Sequence, residues 1–165
     1  MKPRFKDINQ LGHATKAMLA LQKEVEESGL EPGLVELVKM RASQINGCAY
    51  CLNMHFQDAK ASGETDQRLY LLDAWREAPV YTERERAALA WTEAVTLITV
   101  DRVSDEVFAL ARQHFSESEL ANLTLAVVAI NGWNRFNVAF RNVPPVSKAA
   151  TTSHARANVE PAMSK

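Results

Sequence analysis

SESELANLTLAVVAINGWNRFNVAF, residues Ser116–Phe140, is the stretch on which the fold class turns. Ser116 followed three residues later by Glu119 is a capping box, in which hydroxyl and carboxylate each satisfy a free backbone N–H at a helix start. Leu120, Leu123, Val127 and Ile130 then recur at helical spacing and fall on one face. The pattern predicts one long helix running towards Phe140 and stopped by Pro144 and Pro145. Its most apolar part, LTLAVVAI, is far too short to cross a bilayer, which takes about 20 apolar residues.

The same signals recur along the chain, and strand signals are nearly absent, so the reading is all-α with about seven helices. Asp7 with Gln10 opens a first helix striped by Ile8, Leu11, Met18, Leu21 and Val25 and ended by Ser28-Gly29. Pro32 sits at the first position of a second, through Leu34, Val38 and Ile45. Asn46-Gly47 is a stop or sharp bend, so a third helix begins near Cys48 and runs to Ser62-Gly63. A fourth is expected through Leu69, Leu72 and Trp75. Thr82 with Glu85 caps a fifth, through Trp91, Val95 and Ile98, and Ser104 caps a sixth, through Val107, Phe108 and Ala111.

Bulk properties narrow the function. The 165 residues are 47% hydrophobic and 24% charged, a globular composition for one domain over residues 1–145. Residues 146–165 lack aromatics and most large apolar side chains and read as a flexible tail or an oligomerisation arm. Nineteen basic against twenty acidic residues give a net charge of -1 without long single-sign runs, which argues against nucleic acid and anionic membrane as partners. No apolar segment follows the charged N-terminus, so a soluble cytoplasmic protein is expected.

Ile130-Asn131-Gly132 in the long helix repeats Ile45-Asn46-Gly47, a weak hint of internal duplication. The first copy leads directly into Cys48 and Cys51, the only two cysteines, with His55 four residues further on. Such a pair points to redox chemistry or metal binding. On a helix, Cys48, Cys51 and His55 share a face. Free N–H groups and the dipole at the helix start favour a thiolate, and a histidine one turn away adds to this. His55 is one turn from Cys51 and two from Cys48, which makes Cys51 the better nucleophile and Cys48 its resolving partner. A carboxylate usually sets the tautomer of such a histidine. Glu36, among apolar residues of the preceding helix, is the attractive choice if the bend folds that helix back over the cysteines.

Zinc is the competing use: two thiolates, His55 and Glu36 would complete four ligands. His13, His114 and His154 bring no second ligand pair. Glu36 taken alone reads as a surface helix residue paired with Lys39, Lys60 or Arg41. Tyr50 reads as a packing residue that could also screen the cysteines, Trp75, Trp91 and Trp133 as core or subunit-interface residues, and Asn46 as a cap of the bend.

Glu36, Cys48, Cys51 and His55 at this spacing resemble the core motif of the AhpD-like alkylhydroperoxidases within the carboxymuconolactone decarboxylase family. Arg41, Ser43 to Gly47, Ile130-Asn131 and Trp133-Asn134-Arg135 are similar to its other recurrent segments, and the resemblance covers roughly Leu30 to Pro144. It implies an AhpD-like helical bundle, a homo-oligomer of three or six subunits, and peroxide reduction through the CxxC without cofactor or metal. Cys51 would be the peroxidatic cysteine, Cys48 the resolving one, and His55 with Glu36 the proton relay. The partners implied are a peroxide substrate and an external dithiol reductant, neither of which the residues identify. A general thiol-disulfide oxidoreductase and a zinc-bound or oligomeric scaffold are the alternatives.

Overall fold

Among the described residues, seven α-helices and a 3-10 segment form the architecture, with no strand. In chain order they are α1 (His13–Glu26), α2 (Pro32–Ile45), α3 (Ala49–Ala61), α4 (Asp66–Tyr70), the 3-10 segment Leu72–Ala74, α5 (Glu83–Thr96), α6 (Asp105–His114) and α7 (Glu117–Ala139). The structure, a computed structural model, describes residues 2–5, 12–100 and 102–146. Asp7, Ile8, Gln10 and Leu11, the expected opening of the first helix, lie outside the described residues, as does the tail beyond Val146. No helix among the described residues is long and apolar enough to cross a membrane.

Helix α2 is the centre of the packing. Its Leu34, Val35, Leu37, Val38, Met40, Ala42 and Ser43 are all buried, a set that wraps round more than one face of the helix. It must therefore be surrounded, and it packs against α3, α5 and α7. Leu34, Val35 and Val38 join Ala88 and Trp91 of α5 and Leu123 and Val127 of α7 in one cluster. Leu37 and Met40 join Leu69, Leu72, Trp75 and Leu89 in another. A third, smaller cluster is Ala42, Cys48, Cys51 and Ile130, with Tyr50 and Trp133 packed against it.

The expected capping boxes form at Thr82–Glu85 and Ser116–Glu119, and Ser104 caps α6. Two expectations change. The fourth helix breaks after Tyr70 into the 3-10 segment. Leu69, Leu72 and Trp75 are spaced by threes, which is the 3-10 repeat, and all three become buried in one cluster. Helix α5 stops at Thr96, short of Ile98, which is half exposed. The run Val95-Thr96-Leu97-Ile98-Thr99-Val100 is rich in β-branched residues of low helix propensity.

The two Ile-Asn-Gly triplets take different conformations. Gly132 continues α7, and a Cβ there would lie 2.7 Å from the Met18 side chain of α1. Gly47 has φ +65° and ends α2. The Cys48 N–H donates to the Ser43 carbonyl (3.0 Å) and the Gly47 N–H to that of Gln44 (3.2 Å), the two bonds of a Schellman motif. Cys48 then serves as N-cap of α3, its sulfur accepting from the Cys51 N–H at 3.3 Å.

A Cβ at Gly47 would meet no atom within 4 Å, so the cost of Gly47→Ala is backbone strain alone. We expect that substitution to destabilise the protein by roughly 1–2 kcal/mol, measured by chemical denaturation. Unchanged stability would mean that the left-handed turn is not needed to join α2 to α3.

Candidate active site

The turn at Gly47 folds α3 back along α2, so residues 19 apart in sequence meet: His55 Nδ1 lies 2.9 Å from Glu36 Oε2. Both side chains are largely buried, at 5% and 13% exposure. A carboxylate can only accept, so the shared proton sits on Nδ1 and leaves Nε2 as the ring nitrogen able to take up another. Lys39, one turn along α2, holds the other Glu36 oxygen at 2.9 Å. Asp58 approaches His55 Nδ1 less closely, at 3.8 Å.

Burial pushes the Glu36 carboxyl up, but the hydrogen bond from His55, then the charges of His55 and Lys39, outweigh it and hold the carboxyl below its ordinary range. Of the three cations that could have paired with Glu36, Lys39 is the one that does. Lys60 pairs with Asp66, and Arg41 with Glu93 and Asp73.

Cys48 and Cys51 are joined as a disulfide in the first turn of α3, and both are almost fully buried, at 1% and 0% exposure. A cleft of about 200 Å³ reaches Cys48, bordered also by Gly47, Tyr50, Asn137, Arg141 and Asn142. A separate cleft of about 230 Å³ opens onto Glu36, Lys39 and Asp58. The sulfur pair and the carboxylate therefore have openings of their own.

The zinc donor set is not assembled. Among the described residues, three possible ligand atoms converge only at Glu36, His55 and Asp58, without either sulfur. Lys39 further places an ammonium on Glu36.

Helix α7 closes the site with amides that the sequence reading did not single out as site residues. Asn137 Nδ2 lies 3.3 Å from Cys51 Sγ. Asn46, the C-cap of α2, donates to Asn131 (3.0 Å) and Asn134 (2.9 Å), and Asn134 donates to Ser43 Oγ (3.0 Å). These bonds pin the Gly47 turn to α7, in keeping with the reading of Asn46 as a cap. Trp75 and Trp91 are core residues, and Trp133 is partly buried beside the cysteines, its Nε1 buried with no acceptor. A repeat of Asn at 131, 134 and 137 on a helix otherwise facing an apolar core was the available signal.

A carboxyl held low by folding contributes stability in full above its unfolded value, near 4.5, and loses it as pH falls through the folded value. We therefore expect Glu36→Gln to be less stable than the parent at pH 7, by roughly 1–3 kcal/mol. The gap should narrow as pH falls below the unfolded value. Denaturant titrations at neutral and acid pH check this, and a gap independent of pH would refute it.

The carboxymuconolactone decarboxylase family model matches residues 11–94. Over 127 residues the chain is 42% identical to the uncharacterized protein YdfG of Bacillus subtilis (strain 168), covering 77% of this chain and 86% of that one. It is 32% identical over 117 residues to the uncharacterized protein YnjA of Escherichia coli (strain K12), covering 70% of this chain and 63% of that relative. A crystal structure of a protein of unknown function from Agrobacterium tumefaciens, described as a candidate antioxidant defence protein AhpD, matches with a TM-score of 0.86 at 44% identity. That match covers 88% of this chain and all of the other, 100%. The debrominase Bmp8 shares the fold, with a TM-score of 0.73 at 22% identity over 83% of this chain and 74% of that one. In sequence and in helical architecture alike, the chain belongs to the carboxymuconolactone decarboxylase family and has an AhpD-like fold.

Proposed function

We propose that the protein is a thiol-dependent peroxidase of the alkylhydroperoxidase type. The observation that carries this reading is a bonded Cys48–Cys51 pair at a helix start, on the same helix as a buried histidine that holds a largely buried carboxylate. Membership of the family and likeness to the Agrobacterium protein support it.

In the proposed cycle the Cys51 thiolate attacks the terminal oxygen of a hydroperoxide. The O–O bond breaks, Cys51 becomes a sulfenic acid, and the alkoxide takes a proton delivered by His55 with Glu36 behind it. The Cys48 thiol then attacks the sulfenic sulfur, forming the disulfide and releasing water. An external dithiol reduces that disulfide by two exchange steps and is itself oxidised to a disulfide. Neither cofactor nor metal enters the cycle. A homo-oligomer of three or six subunits belongs to the same proposal, and exposed apolar residues such as Val100 and Phe108 offer surface that an assembly would cover.

Cys51→Ser should abolish peroxide turnover, while Cys48→Ser should consume about one equivalent of peroxide and retain a sulfenic acid that a dimedone probe captures. Full activity in Cys51→Ser would overturn the assignment. Reversible disulfide exchange without peroxide consumption would instead make the protein a general thiol-disulfide oxidoreductase.

A further inference from the structure

We propose that Asn137 is a further catalytic residue, whose side-chain N–H stabilises Cys51 as the thiolate. This rests on the redox reading of the cysteine pair and adds a contact from α7 that the CxxC motif and its relay do not contain.

Asn137 is buried, at 5% exposure, on α7 one turn beyond Asn134. Its amide orientation follows from its neighbours. The group 3.0 Å from the Trp133 carbonyl must be the NH₂, because a carbonyl only accepts. One hydrogen goes to that carbonyl, which leaves the other for Cys51 Sγ at 3.3 Å. Asn142 Nδ2 donates to Asn137 Oδ1 at 2.8 Å, and the Asn142 backbone N–H bonds the Asn137 carbonyl at 2.9 Å. The carboxamide is thus held in place before any reaction, aimed at one of the two sulfurs.

Chemistry gives this contact a direction. A disulfide sulfur is a weak acceptor, whereas a thiolate makes charge-assisted hydrogen bonds that are shorter and about twice as strong. The contact therefore gains strength as Cys51 goes from disulfide to thiolate. When a dithiol attacks Cys48, its sulfur bonds to Cys48, the Cys48–Cys51 bond breaks, and the electron pair leaves on Cys51. A stabilised thiolate is the faster leaving group. Asn137 also borders the cleft that reaches Cys48, so it stands where the attacking thiol would enter.

The charged and titratable groups around Cys51 come from elsewhere. Cys48, Tyr50 and His55 lie on or beside its own helix, Glu36 and Lys39 lie behind His55 on α2, and Arg141 borders the cleft just past α7. On α7, Arg135 is engaged with Asn131. All of them remain when Asn137 alone is changed.

The test is the pH dependence of alkylation of Cys51 in the reduced full-length protein, read by peptide mass spectrometry, in the parent, Asn137→Ala and Asn137→Asp. Asn137→Ala should raise the Cys51 pKa by about one unit, a roughly tenfold smaller thiolate fraction below that pKa. Asn137→Asp keeps the shape but places a carboxylate by the sulfur, and should raise it further. The reduction potential of Asn137→Ala should fall by about 30 mV for that tenfold change, where the parent thiol is ionised. A folded Asn137→Ala or Asn137→Asp whose Cys51 pKa matches the parent overturns the proposal. If Asn137→Ala does not fold, the isosteric Asn137→Asp decides alone. These readouts use no peroxide, so absence of peroxidase activity would refute the proposed function and leave the role of Asn137 standing.

Discussion

Everything at the site depends on one residue belonging to two helix ends. Cys48 closes the Schellman motif of α2 through its backbone N–H and opens α3 through its sulfur, which accepts from Cys51. Only a left-handed residue at 47 lets the chain do both within so short a link, and glycine adopts that conformation at little cost. The reversal lays α3 on α2, the helix that the core buries from several sides, so Glu36 acquires a fixed position against His55. Stability and chemistry thus share their parts: the core immobilises α2, and α2 carries the carboxylate.

Groups of different character stand on the two sides of α3: His55, one turn beyond Cys51, meets Glu36 of α2, and Cys51 itself meets Asn137 of α7. On the α2 side is an ionic set, Lys39 to Glu36 to His55, that can move a proton and reaches solvent through its own cleft. On the α7 side is a neutral amide, Asn137, that cannot give up its proton but can hold a negative sulfur. A buried thiolate without such partners would be costly, and burial alone would raise its pKa. The disulfide state makes smaller demands, because it carries no charge, and it fits a cluster with Ala42 and Ile130.

Most of this was legible in the sequence where the signal was local. The capping boxes at Thr82 and Ser116, the glycine bend and the CxxC with His55 are short-range patterns whose physics is contained within a few residues, and they fell where expected. Glu36 stood out by its place among apolar residues of the preceding helix and by its match to the family spacing; helix geometry alone did not select it. The break after Tyr70 and the early end of α5 were not legible, because an apolar stripe marks which residues go inside and not which helical pitch carries them. Asn137 was missed because its partner is 86 positions away and nothing nearby distinguishes a bonded amide from a capping one. Trp133, expected as a core or interface residue, packs beside the cysteines, but its unpartnered Nε1 could be known only from the packed structure.

The fold alone does not choose a reaction, since a debrominase shares it. What would separate a peroxidase from a protein that merely carries a reducible disulfide is acceleration of oxygen transfer to sulfur. The most direct measurement is the rate at which the reduced protein reacts with cumene hydroperoxide under single-turnover conditions, compared with free cysteine corrected to the same thiolate fraction. A positioned proton relay predicts a rate higher by roughly 100-fold or more. A rate equal to that of the free thiolate would contradict the account.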